Sequence, residues 1–131
     1  GKLIELRQKF HDVEILTGDI ANKVDVIQAI QGVRGIFHLA AFKHIPLAEE
    51  FPCECTRTNV IGSLNVLNET VDMGLDFIIC ISTDKSAQVS GVYGATKLLM
   101  ERMFRQFEKI NNKINYRIVR YGNVLYSTGF F

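Results

Sequence analysis

The chain has 131 residues, 47% hydrophobic and 22% charged, and its 15 basic and 14 acidic side chains leave a formal charge of +1. That composition fits one small globular domain and excludes a disordered tail, a collagen-like repeat or a low-complexity linker. Near-neutral charge without a basic stripe argues against a nucleic-acid partner, and no stretch approaches the roughly 20 apolar residues that cross a bilayer.

The first element in chain order is a strand over residues 13–17, Val-Glu-Ile-Leu-Thr, ended by Gly18-Asp19. Asn22 caps a helix in which Val26, Ala29 and Ile30 recur at helical spacing, and Gly32 stops it. Residues 35–41 form a short apolar run, read as a buried strand. A long helix starts near Thr58, carries Val60, Leu64, Leu67 and Val71 on one stripe, and stops at Gly74. Residues 77–81 are continuously apolar, which predicts a strand covered on both faces. A helix from about Val92 to Ile110 is expected to bury Ala95, Leu99, Met103 and Ile110, and residues 116–120 close the series as a fourth strand. Alternating strands and helices make a parallel α/β sheet.

Three cysteines cannot all pair within one chain. Cys53 and Cys55 have the wrong spacing for a Cys-x-x-Cys site, and Cys80 sits in an apolar run, so a reducing cytoplasm fits best. The chain opens on Gly1 without an initiating Met or a signal-peptide pattern and closes on Phe130-Phe131, so both ends read as cut.

Tyr93 and Lys97 stand four apart on the last helix and share a face. A phenol is a poor base at neutral pH, but a nearby ammonium favours the phenolate, which lets such a pair exchange a proton with a sugar hydroxyl. An exposed helical pair is the structural alternative. Ser82-Thr83-Asp84-Lys85 follows directly on an apolar strand, and ligands of open parallel sheets bind outside the carboxyl ends of strands. Thr83 can bond a substrate hydroxyl, and Asp84 beside Lys85 offers an acid and a base. The alternative is a polar turn in which Ser82 or Thr83 bonds only backbone.

With these blocks assembled, the chain resembles the extended, nucleotide-sugar-modifying branch of the short-chain dehydrogenase/reductase superfamily. More narrowly it is similar to the polysaccharide-biosynthesis group of UDP-N-acetylglucosamine 4,6-dehydratases, including the inverting type. The residues that carry the likeness are 37–47 (Phe-His-Leu-Ala-Ala-Phe-Lys-His-Ile-Pro-Leu), 58–63 (Thr-Asn-Val-Ile-Gly-Ser), 82–85, 93–97 (Tyr-Gly-Ala-Thr-Lys) and 120–125 (Arg-Tyr-Gly-Asn-Val-Leu).

The resemblance implies an NAD(P)-binding Rossmann-like sheet, present here as strands three to six. It implies a bound NAD or NADP and a UDP-sugar substrate, with no metal. Thr83, Tyr93 and Lys97 match the catalytic triad, and Asp84 and Lys85 match the pair that handles the C6 hydroxyl and the C5 proton. Asp19 and Ile20 would lie against adenine, while Leu39, Ala40 and Ala41 would run along ribose and phosphates. Ser82 and Tyr121 join the cofactor set with Tyr93 and Lys97. Asn59 would position the lysine. Lys43 would meet a phosphate or ribose of cofactor or substrate, and Asn123 the sugar diphosphate. His44 would contact substrate or only cap a loop.

The expected reaction is loss of water across C5–C6 through transient C4 oxidation, with or without C5 inversion. A 4-epimerase on the same scaffold is the enzyme alternative, and a non-catalytic remnant is the other. Three departures bear on the sugar pocket: residues 86–91 lack a usual proline, Tyr126 stands where glycine is preferred, and Leu39 replaces an alanine. The glycine-rich nucleotide fingerprint is absent, so residues 1–10 would be the helix before strand three. The chain is therefore expected to be a window on a longer, cytoplasmic, homo-oligomeric enzyme, inactive by itself. Any membrane anchor would lie upstream.

Overall fold

The computed structural model describes residues 1–125, so Tyr126 and the apolar end at Phe130 and Phe131 lie outside the described residues. A first helix, α1 (Lys2–Lys9), precedes the segment expected to be a strand. Residues 13–17 form no strand. A strand is defined by its ladder, and the described sheet has only three members, none of which reaches this segment. Asn22 does cap α2 (Lys23–Ala29), accepting from the Val24 N–H at 3.0 Å. Gly32 follows at φ 74°, the left-handed conformation that residues with a Cβ resist.

β1 (Gly35–His38) is shorter than the apolar run that contains it, because its ladder ends at the pairing of His38 with Cys80. His44 caps α3 (Ile45–Glu50), and α4 (Pro52–Thr56) follows at once. A wide π turn, Arg57–Gly62, then leads into α5 (Ser63–Thr70). Helical structure therefore begins at Pro52, before the expected start at Thr58; proline suits a first helical position because its missing N–H would be unpaired there anyway. β2 (Phe77–Thr83), α6 (Val92–Ile110) and β3 (Asn115–Tyr121) complete the chain. The three strands are parallel in the order β1-β2-β3.

Leu67, Leu75, Ile78, Cys80, Met100, Phe104, Ile114 and Tyr116 form the core, in which α5 and α6 meet one face of the sheet. The opposite face, with Phe37 64% and Val119 43% exposed, is left open by the described residues. β2 accordingly alternates in burial, and the expectation of cover on both faces fails here. The buried stripe of α6 is also displaced from the expected one. Ala95, Leu99 and Ile110 are exposed and Met103 is half-buried, while Thr96, Lys97, Met100, Glu101 and Phe104 are inside. Two ionisable residues face the core because strand-borne partners await them there. Among the described residues no helix is long and apolar enough to cross a membrane.

His38 is 4% exposed, stacked on Phe104 and bonded through Nε2 to Ser63 Oγ at 2.9 Å. Burial, with a smaller push from the Lys97 charge, lowers its pKa from 6.5 to about 4. Between those values the unfolded chain binds the extra proton, so this contribution is complete above pH 6.5 and drains away as pH falls to about 4. The loss should be about 3 kcal/mol. Urea unfolding at stepped pH checks it: a His38→Gln variant should lack that slope, and an equal slope in both proteins would refute the assignment.

Candidate active site

The site is built where β2 runs out. Thr83 is still extended, and its Oγ1 accepts from the Lys85 N–H at 3.3 Å, turning the chain into a single 3₁₀ turn over Asp84–Ser86. The same hydroxyl donates to Asp84 Oδ1 at 3.1 Å, and Lys85 Nζ lies 3.5 Å from that oxygen. Asp84 remains largely in solvent and Lys85 is half-buried. α6 then starts beside this turn. Gly91 offers no capping side chain, so Glu49 of α3 supplies one, its Oε1 accepting from the Val92 N–H at 2.6 Å.

Tyr93, Lys97 and Glu101 succeed one another at four-residue intervals along α6. Tyr93 is half-buried and Lys97 is 4% exposed. The Lys97 ammonium donates to the Ile81 carbonyl at 2.8 Å and approaches Met100 Sδ at 3.7 Å. An ammonium has three donors, so capacity remains for a hydroxyl in the cleft. Between them, Gly94 lets α6 sit directly on the turn: a Cβ there would lie 2.7 Å from the Lys85 carbonyl oxygen.

The electrostatics depart from the simplest expectation. Burial raises the Tyr93 phenol above its ordinary value, more than the hydrogen bond with Thr83 lowers it. Cys55, Tyr121 and Asp84 push it the same way as burial. Burial also lowers the pKa of Lys97. Asp84 is held below the usual carboxylate range, chiefly by the Thr83 hydroxyl and then by Lys85, so at rest it is a carboxylate and no proton donor.

A cleft of about 350 Å³ opens at the carboxyl ends of the strands. Of the residues singled out in the sequence, it gathers Leu39, Ala41, Lys43, Ser82, Thr83, Lys85, Tyr93, Lys97, Tyr121 and Asn123. Asp84 stands at its edge, with Oδ2 3.5 Å from where a Cβ on Gly122 would be. The others lie elsewhere. Asp19 pairs with Arg57 at 2.8 Å and Ile20 packs on Gly62, both away from this cleft. Ala40 is exposed outside it. His44 spends Nδ1 on the Leu47 N–H at 3.3 Å, the loop-capping alternative.

Asn59 is fully buried. Its side chain accepts from the Phe42 N–H at 2.7 Å and donates to the Phe42 carbonyl at 3.0 Å and to Thr96 Oγ1 at 3.0 Å. Asn59, placed by resemblance in the cofactor set, does not line the cleft and reaches it only through its neighbours. It ties the loop after β1 to α6, beside Lys97, and the π turn presents it. Ser82 lines the cleft but turns its hydroxyl to Glu101 at 2.6 Å. Sequence reading missed Glu49, Glu101 and the role of Arg120. The available signal was Glu101, one further four-residue step along the Tyr93–Lys97 stripe.

The family model described as polysaccharide biosynthesis protein matches residues 2–131. The UDP-N-acetylglucosamine 4,6-dehydratase (inverting) of Campylobacter jejuni is 38% identical over 114 residues, 86% of this chain and 34% of that protein. A UDP-glucose 4-epimerase of Rickettsia canadensis is 36% identical, over 86% of this chain and 33% of its own. Among solved structures, Pen from Bacillus thuringiensis superposes with a TM-score of 0.91 at 31% identity, covering 97% of this chain and 41% of that one. DesIV of Streptomyces venezuelae, a dTDP-glucose 4,6-dehydratase with NAD bound, gives 0.72 at 25% identity, over 79% of this chain and 36% of that one. The chain thus spans about a third of the length of these two curated relatives.

Proposed function

The chain belongs to the polysaccharide biosynthesis protein family of extended short-chain dehydrogenases/reductases, and from that premise we propose that it carries the catalytic cleft of a nucleotide-sugar 4,6-dehydratase acting on a UDP-N-acetylglucosamine-like substrate. The observation that carries the reading is one cleft holding Thr83, Lys85, Tyr93 and Lys97, with Asp84 at its rim. Its position, outside the carboxyl ends of parallel strands, is where such folds bind ligands.

The lining of the cleft suits the nicotinamide–ribose end of a dinucleotide. Small Ala41 would admit a close backbone approach, and Tyr93 and Lys97 would present hydroxyl and ammonium donors to a ribose. Such a cofactor, when bound, takes up and returns a hydride. The remaining work falls to the protein. Tyr93 receives the proton of the C4 hydroxyl through its phenolic oxygen, and Thr83 orients that hydroxyl. A ketone at C4 makes the C5 proton acidic. Lys85 Nζ takes that proton and Asp84 gives one to the departing C6 hydroxyl, so water leaves with charge balanced, and a proton returned to C5, from Lys85 or from the opposite face with inversion, completes the product once the hydride is back at C6.

Asp84 and Lys85 finish such a step as carboxylate and ammonium, the ion pair seen here at 3.5 Å. The step must begin from the neutral pair, reached by passing one proton from Lys85 to Asp84. A bound sugar that displaces solvent from the two side chains favours that transfer, since desolvation penalises both charged forms.

The test is product analysis of the full-length protein with UDP-N-acetylglucosamine. A 4-keto-6-deoxy sugar is expected. A simple C4 epimer would replace this reading by a second, which relatives of the epimerase type favour and which needs Tyr93 and Lys97 but no elimination pair.

A further inference from the structure

Glu101 is the most heavily bonded buried charge outside the cleft, its side chain 6% exposed. Its carboxylate accepts from Ser82 Oγ at 2.6 Å and from Arg120 Nε at 3.0 Å, pairs with a terminal Arg120 nitrogen at 2.8 Å, and meets Ser86 Oγ. The Ser86 hydroxyl also reaches the Thr83 carbonyl at 2.6 Å, and its single proton serves one acceptor at a time. These partners come from three separate pieces: the end of β2, the turn after it, and the end of β3. Ser82 and Ser86 bracket Thr83, Asp84 and Lys85, and Arg120 immediately precedes Tyr121, Gly122 and Asn123.

We propose that Glu101 is a positioning residue that clamps the two segments forming the cleft, the turn at 83–86 and the strand end at 120–123, in one fixed relation to Tyr93 and Lys97. This rests on the functional reading above. An ion pair whose carboxylate is buried gains little stability, since desolvation of that carboxylate offsets the attraction, whereas a carboxylate with four bonding directions fixes geometry well. Burial pushes the Glu101 pKa up, and the bonds from Arg120, Ser82 and Ser86 outweigh it, so the clamp is ionised.

Glu101→Gln in the full-length enzyme tests the proposal. The amide keeps the volume but cannot accept from all four donors. Turnover of the folded enzyme should fall about tenfold or more while KM for UDP-N-acetylglucosamine stays within about twofold. Independently of substrate, hydrogen exchange should quicken at the amides of Lys85 and Ala87, which bond within the turn, and not along α6. Wild-type turnover with unchanged exchange overturns the proposal, as does a loss of turnover that only follows a fall in melting temperature and a rise in KM. Should Glu101→Gln fail to fold, Ser86→Ala keeps the Arg120 pair and must still quicken exchange at Lys85; unchanged exchange there refutes the clamp. If the wild-type enzyme converts neither UDP-N-acetylglucosamine nor UDP-glucose, the functional reading fails and the exchange data alone decide for or against the clamp.

Discussion

Phenylalanine at position 93 should cost the full-length protein about 10²–10⁴-fold in turnover, the usual worth of a positioned acid–base group. Binding of the sugar nucleotide should change little, because the ring that lines the cleft remains and only the hydroxyl is lost. Thr83 keeps its bonds to Asp84 and to the Lys85 N–H, so the turn does not depend on the phenol. The resting phenol, raised by burial, is protonated at neutral pH. A proton-accepting role therefore requires the loaded site to stabilise the phenolate more than the free cleft does. Steady-state kinetics with UDP-N-acetylglucosamine, beside a binding titration, check the split. Near-normal turnover would remove Tyr93 from the reaction.

What the sequence disclosed, and what it hid, divides by the range of the interaction. α2 was legible because Asn22 and Gly32 act within a few residues of it, and the span of α6, Val92–Ile110, was legible from its periodicity. The Thr83–Lys85 turn could be placed because it follows an apolar strand directly. The buried face of α6 could not. Lys97 and Glu101 look like surface charges until the Ile81 carbonyl and Ser82 arrive from β2, 16 and 19 residues earlier in the chain. Asn59 is similar: its partners Phe42 and Thr96 stand 17 and 37 residues away. The segment at 13–17 has a strand's composition, but composition alone supplies no ladder. The motif therefore points to the proposed chemistry, and the long-range bonds decide how each group is held.

Gly94→Ala makes the sharpest geometric test, because two known effects oppose each other there. Alanine inside a helix is favoured over glycine by about 1 kcal/mol. Against that, the new Cβ would sit 2.7 Å from the Lys85 carbonyl oxygen and 3.4 Å from its carbon, both backbone atoms that cannot swing aside as a side chain does. Overpacking of this kind costs about 1–3 kcal/mol. The clash should win by a small margin, leaving the fold intact with a net stability loss of up to about 2 kcal/mol. The larger consequence is catalytic. Relief comes by lifting α6 off the turn or by pushing Lys85 away, and either motion separates Tyr93 from Asp84 and Lys85. Misplacement by about 1 Å can cost about 10²-fold in rate. Gly74 provides the control: nothing lies within 4 Å of a Cβ there, so Gly74→Ala should leave turnover unchanged. Urea unfolding and turnover of the two full-length variants separate the effects. A Gly94→Ala enzyme that is more stable and fully active would mean that the Lys85 backbone yields freely, and that the close packing of α6 on the turn does not set the geometry of the cleft.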